Sequence, residues 1–270
     1  MIPKIQDTNI TISKGGRAFR DNSNTGFKPK FSTLNDSNKT KKIIEILPVL
    51  KMYKMKGFEF GNWLSNNDRY DYLIATTQSL DNLSKIIKSK NIGFDSTLGI
   101  AFGARGVAHA VAHYEPCYKM INLTKTMGFG SLAHEYGHSI DFIIGTYIDQ
   151  NKTHAPLSGG QSTLNTLKDN KGGALRTLMN EMIDKIKIFK KERKVSENEY
   201  YKRRTEIFAR LFEQYISYEL KERKIKDFFI AERFSDYCNC KNYITSSEFA
   251  QIYPKMQKFI TELGKQMNKK

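Results

Sequence analysis

The hydrophobic and polar positions of the chain change pattern several times, and the first third passes from irregular to helical. Residues 1–40 are rich in Asn, Ser, Thr, Gly and Lys and show little apolar periodicity, which predicts an irregular leader. Residues 41–56 become apolar, but Pro48 interrupts any helix in this stretch. Over 66–90, apolar residues recur at helical spacing. We therefore expect one domain over 41–270, preceded by the leader.

The middle of the chain has the pattern of short strands followed by a helix. Apolar stretches at 98–102, 107–114 and 118–123 are separated by glycines and by a Glu-Pro pair, and each predicts a strand. Ser131 suits the N-cap of the next element, because apolar residues return to helical spacing over 132–147. We expect a small mixed sheet before this helix, so that the N-terminal helices and sheet extend to about residue 147.

The C-terminal half has a predominantly helical pattern. Residues 148–175 are polar and contain two Gly-Gly pairs, so we predict a surface loop there. Helices are predicted over 174–192, 197–224 and 246–265. The second of these begins at Ser196–Glu199, which has the S-x-x-E form of a capping box. This order of elements predicts an α+β fold whose helical part covers 174–270.

The strongest chemical signal lies within the helix predicted at 132–147. Residues 134–138 read His-Glu-Tyr-Gly-His, and a helix brings positions i and i+4 to the same face. His134 and His138 can therefore bind one metal ion, and Glu135 lies where it can take a proton from a metal-bound water. The flanking residues are apolar, so an unpaired His or Glu at this place would be costly. The motif predicts a zinc site and a zincin-like metalloendopeptidase that hydrolyses peptide bonds with metal-activated water.

A catalytic zinc ion needs a third protein ligand and one open position. In metzincins this ligand is a His ten residues after the first His, but Ile144 occupies that position and excludes the class. A Glu on a downstream helix is the other common choice. Glu206 and Glu213 lie seven residues apart on a helix predicted to be buried, and either could point toward the metal. Arg210 lies between them, so the structural alternative is that both glutamates form ion pairs with arginines.

Four further residues are candidates for supporting roles. Asp141 lies on the same predicted helix as the histidines and could orient a ligand imidazole, bind the metal, or face solvent. The strand predicted at 107–114 could bind the extended backbone of a substrate, as an edge strand does in zincins. His113, Tyr114 and Arg105 would then line the cleft or stabilise an oxyanion. The alternative for the histidine is a polar residue on a half-exposed strand.

Composition adds constraints on location and partners. The chain of 270 residues is 39% hydrophobic, which is a globular composition, and contains no run long enough to span a membrane. Its first ten residues lack the apolar core of a signal peptide. Three cysteines do not make a disulfide framework and fit a reducing compartment. We expect a cytoplasmic protein with a peptide or protein substrate and no membrane partner.

The net charge of +16 leaves a second function open. Lys-rich patches such as Lys185–Lys194 and Lys221–Lys226 could bind nucleic acid or an anionic surface. The chain would then be a basic nucleic-acid-associated or virion protein with a structural or vestigial metal site. Lys is spread along the whole chain, however, and both patches also contain Glu, as a solvated helix face does.

Five segments carry a likeness to a known family. They read GIAFGARG at 99–106, AHYEP at 112–116, INLTK at 121–125, GFGSLAHEYGHSID at 128–141 and EIFARLFE at 206–213. Together they resemble the large polyvalent protein associated domain, which occurs in phages and conjugative elements, over about residues 55–260. The resemblance implies a protein encoded by a phage or mobile element that acts in the host cell or is packaged in a virion.

The helix with Glu206 shows a second likeness. The spacing of Glu206, Ala209 and Phe212 is similar to the third-ligand helix of the ImmA/IrrE-type metallopeptidases. This likeness implies that Glu206 is the third zinc ligand. It leaves Glu213 as an alternative ligand or as a partner that supports one.

Overall fold

The computed structural model describes residues 51–105, 110–124, 128–148, 156–159, 173–196 and 198–269. The leader predicted at 1–40 lies outside these residues, as does most of the apolar stretch at 41–56. Within the described part, no helix is both long enough and apolar enough to cross a membrane. The three cysteines, Cys117, Cys238 and Cys240, are all free thiols.

The described residues contain four strands and seven helices. The strands are β1 (Gly57–Phe60), β2 (Gly99–Phe102), β3 (Ala112–Glu115) and β4 (Met120–Leu123). The helices are α1 (Asn66–Ile87), α2 (Leu132–Ile148), α3 (Gly173–Glu192), α4 (Glu199–Lys202), α5 (Arg204–Glu222), α6 (Phe234–Cys238) and α7 (Ser246–Met267). The predicted α+β fold, with a small mixed sheet and a mainly helical C-terminal half, is confirmed.

The sheet has the strand order β1-β2-β4-β3. The pairs β1–β2 and β2–β4 are parallel, whereas β3 runs antiparallel to β4. Of the strand predicted at 107–114, residues 112–114 belong to β3, at one edge of the described sheet, and residues 107–109 lie outside the described part of the chain. The strands predicted at 98–102 and 118–123 are found at 99–102 and 120–123, and the second begins later because Lys119 before it has a positive φ of 51°.

The sequence did not predict β1. Its four residues are Gly-Phe-Glu-Phe, which are too few to show an alternation of apolar and polar positions. The strand forms because it pairs with β2 in parallel register from Gly57 with Gly99 to Phe60 with Phe102. A partner some forty residues away in the chain leaves no local signal.

The chain divides into two compact units. The first extends to Leu132 and includes Asp227–Ile230, and it contains the sheet and α1. Its core has an aromatic cluster in which Tyr72 lies 4.8 Å from Phe102, measured between ring centroids. Asp227 accepts hydrogen bonds from α1, which attaches the 227–230 segment to this unit. The predicted division of 41–270, at about 147 and 174, stays a prediction.

The second unit contains α2 from Ala133 onward together with α3 to α7, apart from Asp227–Ile230. In α3, buried apolar residues recur every three or four positions, and this stripe packs along α7. Helix α5 is buried over nearly its whole length, polar residues included. A buried charge needs partners of its own, and the charged residues of α5 find theirs within the second unit.

The start of the helix predicted at 197–224 is wrong in two respects. The N-cap is Asn198, whose side chain accepts a hydrogen bond from the backbone of Tyr201, and not Ser196. The helix is also interrupted at Arg203, where ψ is 137° and the backbone is extended. Ser and Asn are comparable N-caps, so a sequence with both within three residues does not decide between them.

Candidate metal centre

Helix α2 positions the two histidines against α5. Gly137 lies between them, and a Cβ atom added there would be 3.0 Å from the Cα of Ala209 and 3.3 Å from the Cβ of Phe212. Glycine thus lets the backbones of the two helices approach closely. Because His134 and His138 flank Gly137 on α2, this close approach brings their rings to the part of α5 that contains the two candidate glutamates.

His134, His138 and Glu206 form a group that could hold a metal ion. The ligand atoms of the three side chains all lie within 4.8 Å of one another. The Nε2 atom of His138 is 3.3 Å from Oε1 of Glu206, and Nε2 of His134 is 3.6 Å from Oε2. Ligands placed tetrahedrally at about 2.1 Å from an ion lie about 3.4 Å from one another. The two measured distances involve different oxygens of the same carboxylate, but both are close to this spacing, so the donor set is compatible with one shared ion.

Glu206 also forms an ion pair with Arg210, one turn along α5. The Nη2 atom of Arg210 donates a hydrogen bond of 2.8 Å to Oε2 of Glu206, and the guanidinium lies over the ring of Tyr201. Burial alone would raise the pKa of Glu206, but hydrogen bonds to the two histidines outweigh it and lower the pKa. The carboxylate is thus held anionic, as a metal ligand must be.

Glu213 contacts His134 from the other side of the ring. Its Oε2 atom lies 3.3 Å from Nδ1 of His134. Tyr237 donates a hydrogen bond of 2.9 Å to Oε1, and Tyr243 donates one of 2.5 Å to Oε2. A carboxylate at the second ring nitrogen fixes the orientation and tautomer of a ligand imidazole. Arg210 pairs with Glu206 and not with Glu213, so the alternative of two arginine ion pairs does not describe the site.

The two carboxylates favour the charged form of the histidine between them. Burial lowers the pKa of His134, but hydrogen bonds to Glu206 and Glu213 outweigh it and raise the pKa to about 10. Glu135 is buried beside the same groups, and burial raises its pKa although both histidines act in the opposite direction. A carboxylate with a raised pKa is a better proton acceptor near neutral pH.

Asp141 is fully buried and binds a loop, not a histidine. Its Oδ1 and Oδ2 atoms accept hydrogen bonds of 2.7 Å from the backbone N–H and the hydroxyl of Ser158. Burial raises the pKa of Asp141 to about 6. The surface loop predicted at 148–175 is wrong for its described part at 156–159, where Leu157 and Ser158 are completely buried. The reason is that Leu157 packs in the core while Ser158 satisfies the Asp141 carboxylate.

Tyr200 is a site residue that the sequence did not indicate. It lies on the short helix α4, the residue is 45% exposed, and its phenol lies close enough to Glu206 to be affected by that carboxylate. Burial, followed by the charge of Glu206, raises the pKa of this phenol. Tyr237 and Tyr243 were also missed. None of the three has a sequence signal, because each is a tyrosine in a short or irregular segment beyond the H-E-x-x-H helix.

The predicted cleft residues Arg105, His113 and Tyr114 all lie in the first unit. Arg105 bridges two carboxylates, with hydrogen bonds of 2.8 Å to Glu59 and 3.1 Å to Glu115. His113 contacts the other oxygen of Glu115 at 3.0 Å. Burial raises the pKa of the Tyr114 phenol. These contacts do not test a role in substrate binding, which stays a prediction.

One comparison with known proteins gave a match. Residues 192–267 match the model of the family described as large polyvalent protein-associated domain 1. The matched segment contains α4 to α7, and with them Tyr200, Glu206 and Glu213, whereas the H-E-x-x-H helix lies outside it. No curated protein and no solved structure gave a match. This part of the chain is thus similar to the polyvalent-protein domain that the sequence motifs resemble.

Proposed function

We propose that the protein is a zinc-dependent metallopeptidase in which His134, His138 and Glu206 bind the metal and Glu135 is the general base. The observation that carries this proposal is the group of three ligand atoms on two helices, with Nε2–Oε distances of 3.3 and 3.6 Å. Glu135 directly follows the first ligand and is buried at the same place. A site that only held an ion for stability would need no such base.

The donor set supports zinc as the metal. Two imidazoles and one carboxylate are a common set of catalytic zinc ligands, and three protein ligands leave one position for water or substrate. Glu213, held by Tyr237 and Tyr243, completes the carboxylate–histidine arrangement that typically supports such ligands.

The residues around the group fit hydrolysis of a peptide bond. Bound zinc would supply a Lewis acid that lowers the pKa of a water toward about 7 and polarises the scissile carbonyl. Glu135 would accept the proton of that water and pass it to the leaving amine. Tyr200, half exposed and near enough to Glu206 for that carboxylate to raise its pKa, is the residue we assign to donate a hydrogen bond to the developing oxyanion.

Metal analysis and peptide cleavage test this function together. Wild type should contain about one zinc per chain, and His134→Ala should lose it. Glu135→Gln should retain the zinc and lose cleavage of a peptide library. Retained cleavage by Glu135→Gln would exclude the mechanism. A wild type that binds no metal even after zinc is added would exclude the site, and would favour the nucleic-acid alternative.

The biological setting is a further part of the proposal. The match of residues 192–267 supports a protein of the polyvalent type, which the sequence resemblance connects with phages and conjugative elements. We infer that the substrate is a peptide or protein in the cytoplasm of the host cell. Wild type and the inactive control Glu135→Gln should be expressed in a host cell. Cleaved host proteins should then appear with wild type and not with the control.

A further inference from the structure

A cavity of about 540 Å3 opens at the C-terminal end of α3, and five of the eight described residues that line it are lysines. They are Lys187, Lys190, Lys191, Lys194 and Lys202, of which Lys190 also donates a hydrogen bond of 3.2 Å to the carbonyl of Asn242. All belong to the second unit, and none is part of the metal group. We call this the lysine cavity. A concave surface lined by charges of one sign concentrates ions of the opposite sign.

Three neighbouring segments bring these lysines together. Lys187, Lys190 and Lys191 lie at positions i, i+3 and i+4 of α3 and so share one face. The chain then turns at Lys194, which has a positive φ of 53° and whose N–H bonds to the carbonyl of Lys191. Lys202 comes from α4, beyond that turn.

Helix capping explains only part of this arrangement. The carbonyls at the end of α3 favour cations in the last turn, where Lys190 and Lys191 lie. They do not account for Lys202, which comes from α4. Lys202 contacts Glu199 at 2.7 Å, but both side chains are exposed, and such pairs are weak and screened by solvent.

The electrostatics of Lys187 agree with a site for anions. Burial lowers the pKa of this lysine and the positive charge of Arg204 lowers it further, which together outweigh the opposite effect of Asp184. Like charges that converge in a concave, partly buried place repel one another, and an anion would relieve that repulsion.

We propose that the lysine cavity binds a small molecule that carries several phosphate groups, such as a nucleoside triphosphate or an inorganic polyphosphate. Its volume falls within the range of small-molecule sites, about 300–1,000 Å3. Lysine ammonium groups bind phosphate as point charges. Val195 and Ile207 in the lining offer apolar contact to an organic part. Single-stranded nucleic acid is typically held by stacking on aromatic side chains, and none is among the described residues that line the cavity.

Calorimetric titration of the full chain tests the proposal. The probes are tripolyphosphate, ATP and a single-stranded oligonucleotide, at low salt and with protein freed of metal on a chelating resin. We expect saturable binding of tripolyphosphate and ATP to one site. The variant Lys191→Gln/Lys194→Gln should weaken it by about tenfold or more, because it removes two cavity charges. Tighter binding of ATP would identify a nucleoside ligand, and equal binding would identify the phosphates alone as the recognised group.

Matched variants separate the cavity from general surface charge. Lys258→Gln/Lys265→Gln removes the same two charges from exposed positions of α7 and should change binding by less than about twofold, since distant exposed charges are screened. Lys191→Arg/Lys194→Arg keeps the charge and should retain binding. Lys191 and Lys194 are exposed, so both variants should fold. Lys202→Gln removes a cavity charge that α4 contributes and should also weaken binding. The proposal is overturned if neither tripolyphosphate nor ATP shows saturable binding, or if only the oligonucleotide binds. It is also overturned if Lys258→Gln/Lys265→Gln weakens binding as much as Lys191→Gln/Lys194→Gln does.

Discussion

The two glutamates of α5 lie on the same side of the helix and contact the same histidine, yet their surroundings differ. Glu206 faces the Nε2 atoms of both His134 and His138 and pairs with Arg210. Glu213 meets only Nδ1 of His134, and tyrosine hydroxyls bind both of its oxygens. In the proposed function this difference corresponds to two tasks: the first carboxylate would bind an ion shared with the histidines, and the second would orient one of them.

The largest expected effect comes from Glu206→Gln. The substitution keeps the size of the side chain but removes the negative charge, so zinc affinity should fall by more than about 100-fold, beyond the loss typical of supporting residues. Competition with a chromophoric chelator measures it. Because Arg210 would lose its buried partner, a melting curve of the metal-free chain should accompany the titration. Wild-type affinity in this variant would remove Glu206 from the ligand set.

Tyr200→Phe should have the next largest effect, and on catalysis alone. If the hydroxyl stabilises the oxyanion, its removal should lower kcat by about 100-fold. Zinc content and melting temperature should stay at wild-type values, because Tyr200 is 45% exposed and the ligands are retained. An unchanged kcat on a cleaved peptide would leave Tyr200 as a neighbour of Glu206 only.

The sequence could predict the local part of this site and not its tertiary part. His134, Glu135 and His138 lie within about one turn of a single helix, so their spacing alone predicts that the two imidazoles share a face. Glu206 and Glu213 are two turns apart, and helical periodicity places both on nearly one face. Only the approach of α2 at Gly137 shows which oxygen meets which ring nitrogen. Asp141 likewise finds its partner, Ser158, in a loop seventeen residues away.

The fold shows the same division between local and distant signals. Long helices such as α1 and α7 were predicted within a few residues, since their apolar stripes repeat over several turns. Strand β1 was missed, because its four residues gain their structure from pairing with β2. The break at Arg203 was missed as well. It creates the short helix that carries Tyr200, so a local irregularity supplies a site residue.

Glu213→Gln tests the supporting role of the second carboxylate. An amide retains hydrogen-bonding atoms but no longer strengthens the basicity of His134, so zinc affinity should fall by about 10- to 100-fold, as is typical for supporting residues. The direct test is the same chelator competition as for Glu206→Gln. A loss greater than that of Glu206→Gln would reverse the two roles and make Glu213 the ligand.

Tyr243→Phe should have the smallest effect and shows how the supporting role is shared. The hydroxyl donates to Oε2 of Glu213, but Tyr237 still donates to Oε1 after the substitution. We expect the free energy of unfolding to fall by about 1 kcal/mol, the usual contribution of one hydrogen bond, measured by urea denaturation of the metal-free chain. Zinc affinity should change by less than about threefold, because a small disturbance two contacts from the metal reaches it only through His134. A loss as large as that of Glu213→Gln would mean that the tyrosine, and not the carboxylate charge, determines how His134 is held.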